Sequence, residues 1–304
     1  MLSDAVTRHI ELHRSMGFKF RDQAYMLRGF AAFAESRSEL FIRTETVLEW
    51  AASAPSVSRR HDRLRTIRRF ACALMTEDDR HQVPPDDAFG RAQKRHRKCH
   101  IFVQDEINRL LRAAAQLKPK GSIRPATYVA LLSLIAATGL RVSEALKLQV
   151  FDITEDGLLI RKTKFQKSRL VPLHASAHQG LRQYLVARGR IRITTSNVFV
   201  SQRGAALPYD TVSKTFLYLA RSEGLREGPG HGGCRIHDIR HTFAVRSLEQ
   251  CSSDRRAVAQ HMAALSTYLG HAHVSDTYWY LQVTPKLLGD IALAAEVLHR
   301  GGEQ

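Results

Sequence analysis

The stretch LGHAHVSDTYWYL, residues 269–281, sets Tyr278 and Tyr280 one residue apart, shortly after the pair Gly270-His271. A tyrosine phenol is a chemical candidate only in company. Its reference pKa near 10 keeps it protonated at neutral pH, and it attacks only where cations and hydrogen-bond donors surround its target. Residues two apart on a helix point about 200° from each other, so both tyrosines cannot face one site.

Three other stretches could supply that company. In ATGLRVSEALKL, residues 137–148, Gly139 ends an apolar run and Arg141 opens the next segment, with Glu144 on the same turn. An arginine beside a glutamate is ordinarily half of a structural ion pair. In HDIRHTFA, residues 237–244, His237 and Arg240 are three apart and share a helix face. Between these two, IRKTKFQKSRLVPL carries Lys162, Lys164 and Lys167 near a hairpin tip, where lysines are normally just solvated. A metal reading competes at His231, Cys234, His237 and His241, whose spacing is ligand-like. With one cysteine and no second paired cluster, no metal is assigned.

The elements that must position these groups follow from hydrophobic spacing. SDAVTRHIELHRSMG reads as a helix capped by Ser3, with Val6, Ile10 and Leu12 apolar and Gly17 as its stop. RDQAYMLRGFAAFAESR places Leu27, Phe30 and Phe33/Ala34 at helical spacing, and in TETVLEWAASA Thr46 and Glu49 form a capping box. In SVSRRHDRLRTIRRFACALM, Leu64, Ile67, Ala71 and Leu74 make one stripe, while Arg59, Arg60, Arg63, Arg65, Arg68 and Arg69 cover the remaining surface. Such a density of arginine predicts phosphate contacts, with Arg59, Arg60 and Arg63 as candidates. Residues 81–100 have linker composition, with a Pro-Pro pair, Gly90 and the basic run Lys94, Arg95, His96, Arg97 and Lys98. Beyond it, FVQDEINRLLRAAAQL starts a helix, RPATYVALLSLIAATG is a buried one, GLLIRKTKFQKSRLVPL reads as a hairpin, and helices resume from about residue 210. At the end, TPKLLGDIALAAEVLHR has Thr284 as cap, Pro285 at the first helical position and a stripe of Leu288, Ile291, Ala295 and Leu298. The expected fold is mainly α with a small antiparallel β-sheet, an α+β arrangement.

Composition narrows the partners. The chain has 304 residues, 44% hydrophobic and 25% charged, enough for two cored domains. Its net charge of +17 suits a polyanion, of which nucleic acid is the commonest in cells. Residues 1–100 carry 19 Lys/Arg against 13 Asp/Glu, so both halves are basic, as a clamp would be. Four scattered cysteines, no secretory pattern and no membrane-length apolar run predict a soluble, cytoplasmic protein with reduced thiols.

The stretches TGLRVSEAL, HDIRHTFA and LGHAHVSDTYWY, in that order and with a lysine-bearing hairpin between the first two, resemble the tyrosine recombinase (phage integrase) family over about residues 100–285. ALSTYLGH with TYWYL looks closest to its transposon- and integron-like branch. The resemblance implies that Arg141 and Arg240 are the catalytic arginines, His237 and His271 the histidines and Lys164 the hairpin lysine, with Lys162 and Lys167 as alternatives. The family nucleophile lies nine residues past the Gly-His histidine, which implies Tyr280 rather than Tyr278. It also implies a helical, SAM-like core DNA-binding domain at about 1–90, a basic linker at 91–100 and a catalytic domain at 101–304, closed around double-stranded DNA with inverted-repeat-like sites. By the same precedent four subunits assemble on two sites, with other recombinases as possible partners, and the terminal helix docks into a neighbour. The spacing of 31 residues between Arg240 and His271 departs from the pattern, with CSSDRRAVAQHMAA reading as an insertion.

The implied chemistry makes sense of the residue types. Attack of a phenol on a phosphodiester builds charge on two non-bridging oxygens, which two arginines can hold bidentately at any cellular pH. Their field favours phenolate, a lysine can protonate the leaving 5′-oxygen, and the histidines add donors or take the phenol proton. The 3′-phosphotyrosine retains the energy of the cut bond, so rejoining is expected to need no cofactor. Two other readings use the same residues differently: a type IB topoisomerase-like enzyme, and a non-catalytic DNA-binding accessory factor.

Overall fold

The computed structural model describes residues 1–90, 99–161, 168–228, 232–251, 255–271, 273, 275–282 and 289. The chain divides into two compact units, Met1–Arg97 and Lys98–Gln304.

The first unit is four helices: α1 (Leu2–Ser15), α2 (Arg21–Glu35), α3 (Thr44–Ala52) and α4 (Val57–Met75). Their stripes meet in one core of Val6 and Ile10 from α1, Leu27 and Phe30 from α2, Trp50 from α3, and Leu64, Ile67, Phe70 and Leu74 from α4. Two expected caps are not made. Helix α1 starts one residue before Ser3, whose backbone N–H instead donates to Glu35 at 2.8 Å. Thr46 and Glu49 lie inside α3, which begins at Thr44. The Thr46 hydroxyl donates to Glu39 at 2.6 Å, and Glu49 takes a two-pronged bond from Arg37. Both residues find longer-range partners that compete with a local cap. Residues 81–90 are also not linker. The His81 ring accepts from the Ile42 N–H at 3.1 Å, and Val83 and Phe89 pack on the core.

The second unit begins with α5 (Gln104–Ala115), α6 (Ile123–Thr138) and the short α7 (Val142–Lys147). Helix α6 is apolar nearly all round and is accordingly the buried centre of the unit. A three-stranded antiparallel sheet follows, β1 (Ile153–Thr154), β2 (Gly157–Ile160) and β3 (Arg169–Val171), with Leu158 opposite Val171 and Ile160 opposite Arg169. Helices α8 (Ala175–Arg188), α9 (Tyr209–Ser222), α10 (Ile236–Glu249), α11 (Arg255–Leu269) and α12 (Ser275–Gln282) complete the described residues. The apparent insertion is regular structure. Its residues from 255 onward form α11, which buries Met262, Leu265 and Leu269 against Ala244, Val245 and Leu248 of α10. The terminal segment that reads as a docking helix lies, apart from Gly289, outside the described residues. Among the described residues, no helix is long and apolar enough to cross a membrane.

Gly139 shows how tightly the site's framework is drawn. It ends α6 in the left-handed conformation, at φ +61°, and a Cβ there would stand 2.5 Å from the Phe243 ring on α10. Gly139→Ala therefore adds both backbone strain and a clash with a packed aromatic. A loss of about 2 kcal/mol, read as a lower midpoint in urea unfolding, is the expected result.

Candidate active site

The site is assembled on the C-terminal end of α11. The last carbonyls of a helix have no intrahelical donors and carry the negative end of its dipole, so they attract cations. Here three successive carbonyls are each taken by a different arginine. Tyr268 O accepts from Arg169 Nε at 2.7 Å, Leu269 O from Arg240 Nη2 at 2.8 Å, and Gly270 O from Arg141 Nη2 at 2.9 Å. Arg240 also donates to Gly139 O at 2.7 Å, the carbonyl at the end of α6. Arg141 and Arg240, 99 positions apart in sequence, are thus set side by side by main chain.

Glu144 locks the arrangement from behind. It accepts from Arg141 Nη1 at 2.7 Å and from Arg169 Nη2 at 2.8 Å, and a carboxylate oxygen also takes the Arg141 N–H at 3.1 Å. Burial pushes the Glu144 carboxyl up, but the bonds from Arg169 and Arg141 outweigh it and hold it at about 2. The Arg141–Glu144 pair is therefore structural, as expected of such a pair, and is also what aims the arginine. Its pH consequence has a definite sign. The unfolded carboxyl ionises near 4.5 and the folded one at about 2. Stability from this site is full above about pH 5 and is lost as pH falls toward 2, roughly 3 kcal/mol in all. The stability gap between wild type and Glu144→Gln should be of that size at pH 7 and should narrow steadily toward pH 3, as measured by chemical denaturation.

Arg240 is 1% exposed, and burial followed by the charge of Arg141 lowers its pKa to about 10, so it stays charged at neutral pH. Its Nη2 also donates to His271 Nε2 at 3.1 Å. A guanidinium has no acceptor, so Nε2 is the acceptor here and the ring proton sits on Nδ1, which donates to Thr277 Oγ1 at 2.7 Å. His237, on the first turn of α10, keeps an exposed edge. Loss of water around the rest of its ring, reinforced by Arg240, holds its pKa below the ordinary histidine value.

Helix α12 separates the two tyrosines. Tyr280 is 1% exposed and faces this cluster, whereas Tyr278 is 55% exposed on the other side. The Tyr280 ring lies 6.3 Å from that of His271 and nearly parallel to it. Its hydroxyl bonds His241 Nδ1 at 3.0 Å. Burial pushes the phenol up to about 12, with Arg240 and Arg141 pulling only part of the way back. The expected phenolate-favouring field is thus present but outweighed in the DNA-free chain. Spacing arguments cannot weigh burial, which is why the sign of the net shift differs.

Lys164, with its alternatives Lys162 and Lys167, lies outside the described residues, though β2 and β3, the strands on either side, are in place. Lys94, Arg95, Arg97, Lys98 and His231 are also outside them. Cys234 is buried with its thiol donating to Leu225 O at 3.4 Å, and His241 turns to Tyr280. Among the described residues, no group of three His, Cys, Asp or Glu side chains is placed to hold a metal. In the first unit, Arg63 donates to Trp50 O at 2.7 Å and lies 4.4 Å over the Trp50 ring, so it ties α4 to α3. Arg60 lies over Phe89, and Arg59 is half-buried. Sequence reasoning misses Arg169, which has no partner within its own stretch. It sees His241 only as a metal candidate, although a spacing of four from His237 already puts both on one helix face.

Comparison with known proteins decides the family. Residues 101–286 match the model of the phage integrase family. The chain belongs to the phage integrase family. Among relatives of this integrase-family chain is y4rB of Sinorhizobium fredii, named as an integrase/recombinase. It is 38% identical over 294 residues, 93% of each protein. The fold is also that of solved members of the family. The XerH site-specific recombinase in a post-cleavage complex with a palindromic difH substrate superposes with a TM-score of 0.66 at 22% identity, covering 90% of this chain and 78% of that one. A lambda integrase tetramer bound to a Holliday junction gives 0.62 at 18% identity, covering 90% and 77%.

Proposed function

We propose that this chain cuts and rejoins DNA by attack of the Tyr280 hydroxyl on a phosphodiester, with Arg141 and Arg240 gripping its two non-bridging oxygens. Site-specific tyrosine recombination is the activity of the family to which the chain belongs. One observation supports this set of residues above all: two guanidiniums fixed on consecutive carbonyls, with a buried phenol turned toward them. Donors preorganised around a phosphoryl group are worth about 10²–10³ in rate each, because they need no rearrangement as charge develops. A phosphate oxygen arriving at Arg240 would take the Nη2 donor now spent on His271, and His271 Nε2, which carries no hydrogen in this arrangement, would bind the phosphate only after taking up a proton. His237 supplies a further donor from the open edge of the site. Lys164 is assigned the proton for the leaving 5′-oxygen.

The N-terminal unit, about 1–90, is the core DNA-binding domain in this reading, 91–100 a basic linker and 101–304 the catalytic domain. Phosphates are contacted by Arg59, Arg60, Lys94, Arg95, Arg97 and Lys98, and by Arg63 where it is not spent on α3. Subunits assemble as a tetramer on two sites with inverted-repeat-like halves, with the terminal segment docking in a neighbour and other recombinases as further partners. The biological outcome is rearrangement of a mobile element at the nucleoid. Covalent capture tests the chemistry and lets the enzyme select its own site. The wild-type protein is incubated with a library of nicked duplexes, and the adducts are digested and sequenced. A phosphotyrosine at Tyr280 is expected, and an adduct on any other residue, or none, overturns the assignment.

A further inference from the structure

Tyr280 has a proton to lose, and an imidazole nitrogen lies within hydrogen-bonding distance of its oxygen. The His241 Nδ1 to Tyr280 Oη distance is 3.0 Å, within the range of a good hydrogen bond, and the rings lie 5.6 Å apart. His241 sits one turn after His237 on α10, and the two rings meet edge to face at 4.6 Å. Arg240, between them in sequence, points instead to the ends of α6 and α11. The phenol oxygen thus bonds His241, and the charges of Arg240 and Arg141 act on the same group.

Given the assignment of Tyr280 as nucleophile, on which this rests, we infer that His241 is the catalytic acceptor of the Tyr280 proton. In the step, the O–H bond of Tyr280 breaks, its proton passes to His241 Nδ1, and the phenolate oxygen forms a bond to phosphorus. The bond from phosphorus to the 5′-oxygen breaks, and that oxygen takes its proton from elsewhere in the site. Rejoining runs in reverse, with Tyr280 leaving as phenolate and recovering its proton from the His241 imidazolium. The neighbouring charges fit the direction. His237 and Arg240 on α10, Arg141 ahead of α7 and Glu144 on it, Arg169 on β3, His271 after α11 and Cys99 ahead of α5 face the same space or act on its members. The positive members of that set favour a phenolate once formed. They equally resist leaving the proton on His241 for long, which suits an acceptor that must return it.

The experiment is a pH–rate profile of first-strand cleavage on a nicked duplex isolated by the covalent capture above. Wild type should lose rate on the acid side of the profile, where the imidazole acceptor becomes protonated. His241→Asn keeps an acceptor oxygen near the Nδ1 position but cannot take a proton. It should cleave about 100-fold more slowly at pH 7, with a rate that climbs roughly tenfold per pH unit, and should bind the duplex as wild type does. His237→Asn should keep the acid limb. A His241→Asn profile of wild-type shape and rate overturns the inference, as does loss of the acid limb in His237→Asn instead. A flat wild-type profile between about pH 5 and 8 overturns it even if the His241 variant does not fold. An adduct mapped away from Tyr280 sinks the nucleophile assignment itself, which is a different failure.

Discussion

Tyr280→Phe should form no covalent DNA adduct while folding and binding DNA almost as wild type does. The substitution removes one oxygen and leaves the ring that packs with Ala244, Leu248 and Leu265 in the α10–α11–α12 core. Its structural cost is the lost bond to His241, about 1 kcal/mol, partly offset because the phenylalanine ring no longer buries a hydroxyl. Its chemical cost is the whole nucleophile. Cleavage should fall by at least about 10⁴-fold, to the limit of detection, since no neighbouring hydroxyl can substitute in place. Tyr278 cannot rescue it. That side chain is 55% exposed on the opposite face of α12, and Tyr278→Phe should cleave normally. Gel analysis of trapped adducts, with binding measured separately, distinguishes the two variants. Adduct formation by Tyr280→Phe would refute the mechanism.

Arg240→Lys has the second largest expected effect, and here stability and activity fall together. Lysine keeps the charge but presents a single ammonium in place of a planar fork. It cannot reach Gly139 O, Leu269 O and His271 Nε2 at once, as Arg240 does. At least one buried carbonyl is left without its donor, at about 1–3 kcal/mol. The phosphate grip also loses its bidentate geometry, so cleavage should drop about 10³-fold even where DNA binding survives. Denaturation midpoints and single-turnover cleavage on the captured duplex measure the two effects independently. Near-normal cleavage with a lower midpoint would mean that Arg240 serves the fold alone.

Much of this site is legible in sequence because its members sit at fixed offsets within single helices. His237 and Arg240 share a face by spacing, and Gly139 marks the end of α6 by its freedom to adopt positive φ. The separation of Tyr278 from Tyr280 follows from the helical period alone. What spacing cannot convey is partnership across long stretches of chain. Arg169 lies 25 positions from the glutamate it shares with Arg141, and no local pattern announces that meeting. The caps expected at Ser3 and Thr46 fail for the same reason, since distant glutamates outcompete the nearby backbone. Arg63 reads as free positive charge because the Trp50 beneath it belongs to another helix. The net rise of the Tyr280 pKa depends on burial, which only packing reveals.

Because the two arginines assigned to the phosphate hang on peptide oxygens 269 and 270, the path of the main chain sets their separation together with the Glu144 carboxylate that aims Arg141. Substitution at Leu269 could alter packing without changing that ruler. Gly270 has no such latitude, since any β-carbon there would press within 2.7 Å of the Arg169 fork and skew the whole comb of guanidiniums.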